Sequence, residues 1–156
     1  MAKARRVKID PDAPFSAAAA ATLEVRGPEL LEFRAGTLDG SDIEQLHSMR
    51  VASRRLRAAL EVYAGCFPRK RHRRLLRLVK DTADALSEAR DLDVQIDYLT
   101  SYRAQIPAAD RAGIDSLIAL LRTRRSDADE HLAPALARLD DEDFEGQVEK
   151  LSEAVS

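Results

Sequence analysis

The sequence predicts an all-α protein, an antiparallel helical bundle whose long helices are joined by short loops. Three observations carry that expectation. Ala, Leu and Arg dominate a chain of 156 residues that has only six glycines, six prolines and 4% aromatic residues, a composition that favours helix over strand. Apolar residues recur at helical spacing, and no segment shows the alternation that a half-buried strand needs. Proline and glycine fall at intervals that divide the chain into helix-length pieces.

The elements follow in order. A first helix is expected over residues 15–34, with Gly27-Pro28 kinking or splitting it because proline removes a backbone donor and crowds the preceding turn. Residues 36–40 read as a loop. Ser41 with Glu44 three residues on forms a capping-box pattern, so a second helix is expected to begin at Asp42 and to end near Cys66, ahead of Pro68. A third helix starts after Pro68 and reaches Ala85 or Leu86, is open to a break over residues 87–93, and resumes through Tyr98 and Tyr102. Pro107 suits the first turn of a fourth helix over residues 108–139, which Pro134 bends. The acids at 140–143 suit the start of a short last helix over residues 141–154. In domain terms this is a basic flexible N-terminal arm, residues 1–14, and a single helical domain, residues 15–156.

Composition narrows the function classes. Cys66 stands alone, so it offers neither an internal disulfide nor a zinc cluster, and nothing asks for an oxidising compartment. The basic start of the chain is followed by Asp10-Pro11-Asp12 and a short alanine run, not by a long apolar segment, so no export signal or membrane span is evident and a cytoplasmic location is the expectation. The formal net charge of −2 hides a strong separation along the chain. Residues 46–90 hold twelve Lys/Arg against four acids, and residues 127–153 hold ten acids against two bases. A basic middle points to an anionic partner; an acidic end points to a solvated or self-docking segment.

The second helix concentrates the basic signal. On an ideal helix His47, Arg50, Arg54, Arg57 and Glu61 fall within about 80° of one another. Met49, Leu56, Leu60 and Tyr63 lie opposite, so the helix buries one side and presents the other. Solvated basic faces normally carry acids three or four residues away, yet none lies between Gln45 and Leu60. Arginine suits phosphate in particular, because its planar fork donates two parallel charge-assisted bonds while staying charged. Arg69, Arg73, Arg77 and Lys80 repeat the arrangement on the third helix, and two adjacent basic helices make a groove. His72 and His131 read as surface residues, and Tyr63 and Cys66 as packing at a helix end.

The run His47-Ser48-Met49-Arg50-Val51-Ala52-Ser53-Arg54-Arg55-Leu56-Arg57, followed by Arg90-Asp91-Leu92-Asp93-Val94, closely resembles the CHAD family, the conserved-histidine α-helical domain. The resemblance implies a helical fold whose basic residues line a channel or groove and bind inorganic polyphosphate, often at polyphosphate granules. Carried over residue by residue, it marks His47, Arg50, Arg54, Arg55 and Arg57 as the first motif, Lys80 as a basic position ahead of the second, and Arg90 with the supporting acids Asp91 and Asp93 as the second. Two departures stand out. Ser87 occupies the region where the family usually has a glycine and a sharp turn. The chain also resembles the first half of a full-length domain, so a homodimer completing a two-half channel is the expected assembly.

Rival chemistries are weaker. A lone His47 without a second ligand at helical spacing is a poor metal site, and Asp91 and Asp93 are better suited to pairing arginines and capping a helix than to holding Mg²⁺. No nucleophile with its base and no phosphate loop is present, so the expectation is a protein with no cofactor and no catalytic residue. Nucleic acid is the main competing partner, disfavoured because no aromatic residue interleaves the basic stripe. An adaptor that docks an acidic protein segment is the other.

Overall fold

The computed structural model describes residues 3–156; Met1 and Ala2, the start of the expected basic arm, lie outside the described residues. Six α-helices follow in order among the described residues: α1 (Phe15–Glu32), α2 (Arg34–Asp39), α3 (Ile43–Val62), α4 (Arg69–Gln105), α5 (Arg111–Asp141) and α6 (Phe144–Glu153). Single 3-10 turns at Ala64–Cys66 and Ala108–Asp110 make the tight reversals into α4 and α5. None of the described residues is in a strand.

Neighbouring helices close a ring. α1 packs on α3, α3 on α4, α4 on α5, α5 on α6 and α6 back on α1, while the short α2 leans on α3. Inside the ring lie Leu23, Leu30, Met49, Leu56, Leu60, Leu75, Leu78, Leu86, Leu136, Leu139, Phe144 and Leu151, all with essentially no exposed surface. Each buried side chain of this size contributes about 1.5–3 kcal/mol, which is how helices with so many charges hold together. Gly27 lets α1 and α6 approach closely: a Cβ there would sit 2.7 Å from a methyl of Val148.

α3 behaves as its pattern predicts, with Met49, Leu56 and Leu60 buried and Tyr63 half-buried against the ring of Phe15. Its start differs by one residue. The N-cap is Asp42, whose carboxylate accepts from the Glu44 backbone N–H at 2.9 Å, while the Ser41 hydroxyl donates instead to Asp39. The expected loop at residues 36–40 is largely the helix α2, closed by Gly40 in the left-handed conformation (φ 71°) and steadied by Thr37, which is buried and donates to the Phe33 carbonyl at 2.8 Å.

The expected break over residues 87–93 does not occur: α4 runs unbroken for 37 residues. No glycine or proline interrupts that stretch, and Leu86 and Ala89 keep the buried face in register through it. α1 and α5 likewise continue through Pro28 and Pro134. Each proline costs a helix roughly 3 kcal/mol, offset here by buried leucines on either side, Leu23 and Leu30 in α1, Leu132 and Leu136 in α5. Ahead of α1, Arg5 ties the N-terminal segment down: its backbone N–H donates to Glu29 at 2.5 Å and its guanidinium to Glu32 at 2.7 Å. Glu29 is almost wholly buried and is also paired with Arg26 at 2.7 Å, so a buried carboxylate is satisfied from both sides.

Candidate functional site

α3 and α4 run antiparallel, and three contacts between them fix the register. Arg50 Nε donates to Ser87 Oγ at 3.3 Å, Lys80 Nζ lies 3.5 Å from Glu61 Oε1, and His72 Nε2 lies 2.8 Å from the Leu60 carbonyl. The first two lie on the basic side. Arg50 is half-buried there with its fork steadied by a serine rather than by an acid, which leaves the guanidinium charge uncompensated. Arg54 is exposed beside it.

At the far end of the stripe Glu61 bridges two cations, accepting from Arg57 Nε at 3.0 Å while facing Lys80. The Arg57 hydrogen bond, with the charges of Arg57 and Lys80 behind it, outweighs desolvation and holds the Glu61 carboxyl below the usual carboxylate range. At the near end His47 is half-buried, and its Nδ1 is enclosed without a hydrogen-bond partner. A buried polar nitrogen left unmatched in this way is costly unless something else supplies the bond.

Arg73 and Arg77 lie on the other flank of α4. Together with Arg69, Lys70 and Arg74 they line an open groove of about 660 Å³ that Arg138 of α5 closes on the far side. Arg138 is held by Asp81 at 2.9 Å and Glu142 at 2.7 Å, and those two carboxylates raise its pKa. The side-chain hydrogen bond to Glu142 is the larger effect, followed by that to Asp81. Among the described residues no carboxylate pairs with Arg50, Arg54, Arg73 or Arg77, although eight other arginines, Arg5, Arg26, Arg34, Arg57, Arg74, Arg103, Arg125 and Arg138, do have acidic partners. The acidic C-terminal segment therefore docks on arginines away from α3: Asp140 on Arg34 at 2.6 Å, Glu142 on Arg138.

Not every residue marked in the sequence joins this face. Arg55 points the other way, into a small pocket on the α1 side with Lys3, Arg5, Glu29 and Glu32. Arg90 is half-buried on α4, and Asp91 is exposed with no arginine partner among the described residues. Asp93 alone of the two acids pairs an arginine, accepting from Arg125 Nε at 2.7 Å, and neither acid caps a helix because α4 has no end there. Burial opposes the charge of Arg125, yet its hydrogen bonds to Asp129 and Asp93 still raise its pKa.

His72 is a correction: it is buried, stacked on Phe67 at 5.8 Å, and bonded to the Leu60 carbonyl, which requires the proton on Nε2. His131 is exposed and sits 3.6 Å from Glu88. Two contributors had no reading as site residues. Arg138 reaches the groove only because α5 folds back on α4, and nothing local to its sequence signals that. Ser87 was recognisable only as a missing glycine, but it is an acceptor aimed at Arg50. Among the described residues no three His, Cys, Asp or Glu side chains come together to hold a metal ion, and no helix is long and apolar enough to cross a membrane.

No curated protein matches the chain. A model of the CHAD domain matches residues 21–155, which takes in most of α1, both flanks of the basic face and the acidic last helix. The match spans nearly all the described residues, and the chain belongs to the CHAD family.

Proposed function

We propose that the protein binds inorganic polyphosphate, without catalysis, along the basic side of α3 and across α4 into the groove that α4 forms with Arg138 of α5. The observation that carries this reading is the row of unpaired arginines, Arg50, Arg54, Arg73 and Arg77, in a protein with more acids than bases. Like charges held side by side destabilise a fold unless an anion neutralises them, and a flexible chain of phosphates can follow both flanks of α4. The enclosed Nδ1 of His47 offers a further point of recognition for a phosphate oxygen. Membership of a family that binds polyphosphate supports the choice of ligand. In a cell this function would place the protein at polyphosphate granules.

The test is competition. Long-chain polyphosphate, duplex DNA and an acidic peptide are titrated at matched charge and moderate salt, with polyphosphate expected to displace the other two. Arg50→Ala with Arg54→Ala is expected to weaken polyphosphate binding by about 100-fold, two charge-assisted contacts of roughly 1.5 kcal/mol each, while helical content stays intact because the stripe lies opposite the apolar face. A double variant that still binds as tightly would refute the site, and DNA winning the competition would refute the ligand.

A further inference from the structure

We infer that the outer part of the α4–α5 hairpin is a self-association surface, where a second copy of this chain docks by twofold symmetry. The inference is independent of what the basic face binds. It starts from a helix without a core. None of residues 90–105 of α4 and none of residues 111–117 of α5 is buried, so about four turns of one helix and two of the other pack only on each other. Isolated helices of that length are marginal in water, and alongside this stretch the hairpin buries only Ile118 and Leu121 of α5.

The bare surface continues an interface the chain already makes. Ser87 of α4 faces α3 through Arg50, and counting back along the antiparallel pair puts Ile43, the first residue of α3, level with Val94. Beyond that level α3 has ended. On the same side of α4 follow Val94, seven residues after Ser87, then Tyr98 and Tyr102 at steps of four, with the two tyrosine rings stacked at 6.4 Å.

α5 adds to the patch. The pairs Asp93 with Arg125 and Arg103 with Asp115 set the register, which brings Leu120 level with Tyr98 and Leu117 within one residue of the level of Tyr102. The face agrees as well. His131 pairs with Glu88, Leu120 lies on the His131 side of α5 eleven residues earlier, and Tyr102 lies on the Glu88 side of α4 fourteen residues later. Val94, Tyr98, Tyr102, Leu117 and Leu120 are between 41% and 67% exposed.

Charge selects the occupant. Between residues 90 and 124 there are five arginines and five aspartates, so the hairpin is neutral while the rest of the molecule is split between strongly basic and strongly acidic regions. A charged partner gains nothing from a neutral surface, and a copy of the same surface meets no repulsion. Two of the hairpin's arginines are already paired within the chain, Arg103 with Asp115 and Arg125 with Asp93, so those charges need no partner from the second copy. An apolar patch is complementary to itself, which is the requirement of a twofold contact. Two such faces bring together on the order of 1,000 Å² of surface, the lower end of what a specific association needs, so a dimer in the micromolar range is expected.

Light scattering on the full chain at about 100 µM, well above such a dissociation constant, should give twice the 17.3 kDa chain mass. Tyr98→Glu should move the monomer–dimer midpoint at least tenfold higher in concentration across a dilution series, with helical circular dichroism and melting cooperativity unchanged. Leu120→Lys, on the neighbouring helix, should do the same and guards against a Tyr98 variant that misfolds; Tyr98→Phe should stay dimeric. A wild-type chain of single mass overturns the inference. So does a dimer that both charged variants leave intact.

Discussion

Glu61 shows how one side chain sets the strength of the basic face. It is the acid that shares the stripe with Arg57 and Lys80, and a polyanion reaching those cations has to compete with it. Glu61→Gln removes the competing charge while keeping the shape, so polyphosphate affinity should rise by about two- to fivefold, in line with the modest worth of one exposed ion pair. The change also tests the linkage between protonation and stability. The folded carboxyl is held below its ordinary range, first by the Arg57 hydrogen bond, so its contribution is complete above the unfolded pKa and is lost as pH falls through the depressed folded value. Wild type should thus melt slightly above Glu61→Gln near neutral pH, by a few tenths of a kcal/mol after solvent screening, and the two should converge in strong acid. Thermal melts at both pH values check the sign; a variant that melts higher at neutral pH would mean the bridge strains the helices rather than ties them.

The helices themselves were legible wherever a period or a cap was local. The apolar positions Met49, Leu56 and Leu60 defined the buried side of α3, and the basic stripe opposite them followed from the same wheel. What was not legible depended on choices made by neighbours. Ser41 and Asp42 can both cap α3, and the outcome turned on Asp39 receiving the Ser41 hydroxyl. The continuity of α4 through residues 87–93 depended on the packing of Leu86 and Ala89, which outweighs the polar residues that suggested a break. Arg138 entered the groove through a fold-back of 57 residues to Asp81, a distance over which no periodicity speaks. Ser87 allows element and site to be separated. Ser87→Gly should destabilise the chain by about 0.5–1 kcal/mol in denaturant melts, because glycine inside a helix costs backbone entropy. Ser87→Ala should preserve the helix and instead release Arg50, lowering polyphosphate affinity with little change in stability. A Ser87→Ala variant that binds polyphosphate as tightly as wild type would show that Arg50 does not depend on the serine. Asp42→Ala is the matching test of a helix end, with an expected loss of about 1 kcal/mol from the uncapped first turn of α3.

For the whole molecule, the near balance of 25 bases and 27 acids is less informative than where the fold sends them. Two acids of the last segment, Asp140 and Glu142, are taken up by Arg34 and Arg138, so they shield the groove's far wall and do not cover the α3 stripe. The result is a protein of net charge −2 with a local field able to hold a polyanion. That arrangement has a thermodynamic signature separable from tight binding at one point. A phosphate chain contacting cations along both flanks of α4 releases condensed counterions at each contact, so the logarithm of the affinity should fall linearly with the logarithm of salt concentration. For about six contacts, and a slope near −0.7 for each phosphate of a single-stranded polyanion, the total is roughly −4. Removing Arg73 and Arg77 together should flatten the slope by about 1.4, the same decrement as removing Arg50 and Arg54, if one chain spans both flanks. Titrations across salt concentrations for the wild type and the two double variants measure this directly. A slope that changes for the α3 pair and stays fixed for the α4 pair would confine the ligand to the α3 stripe and leave the groove against α5 outside the site.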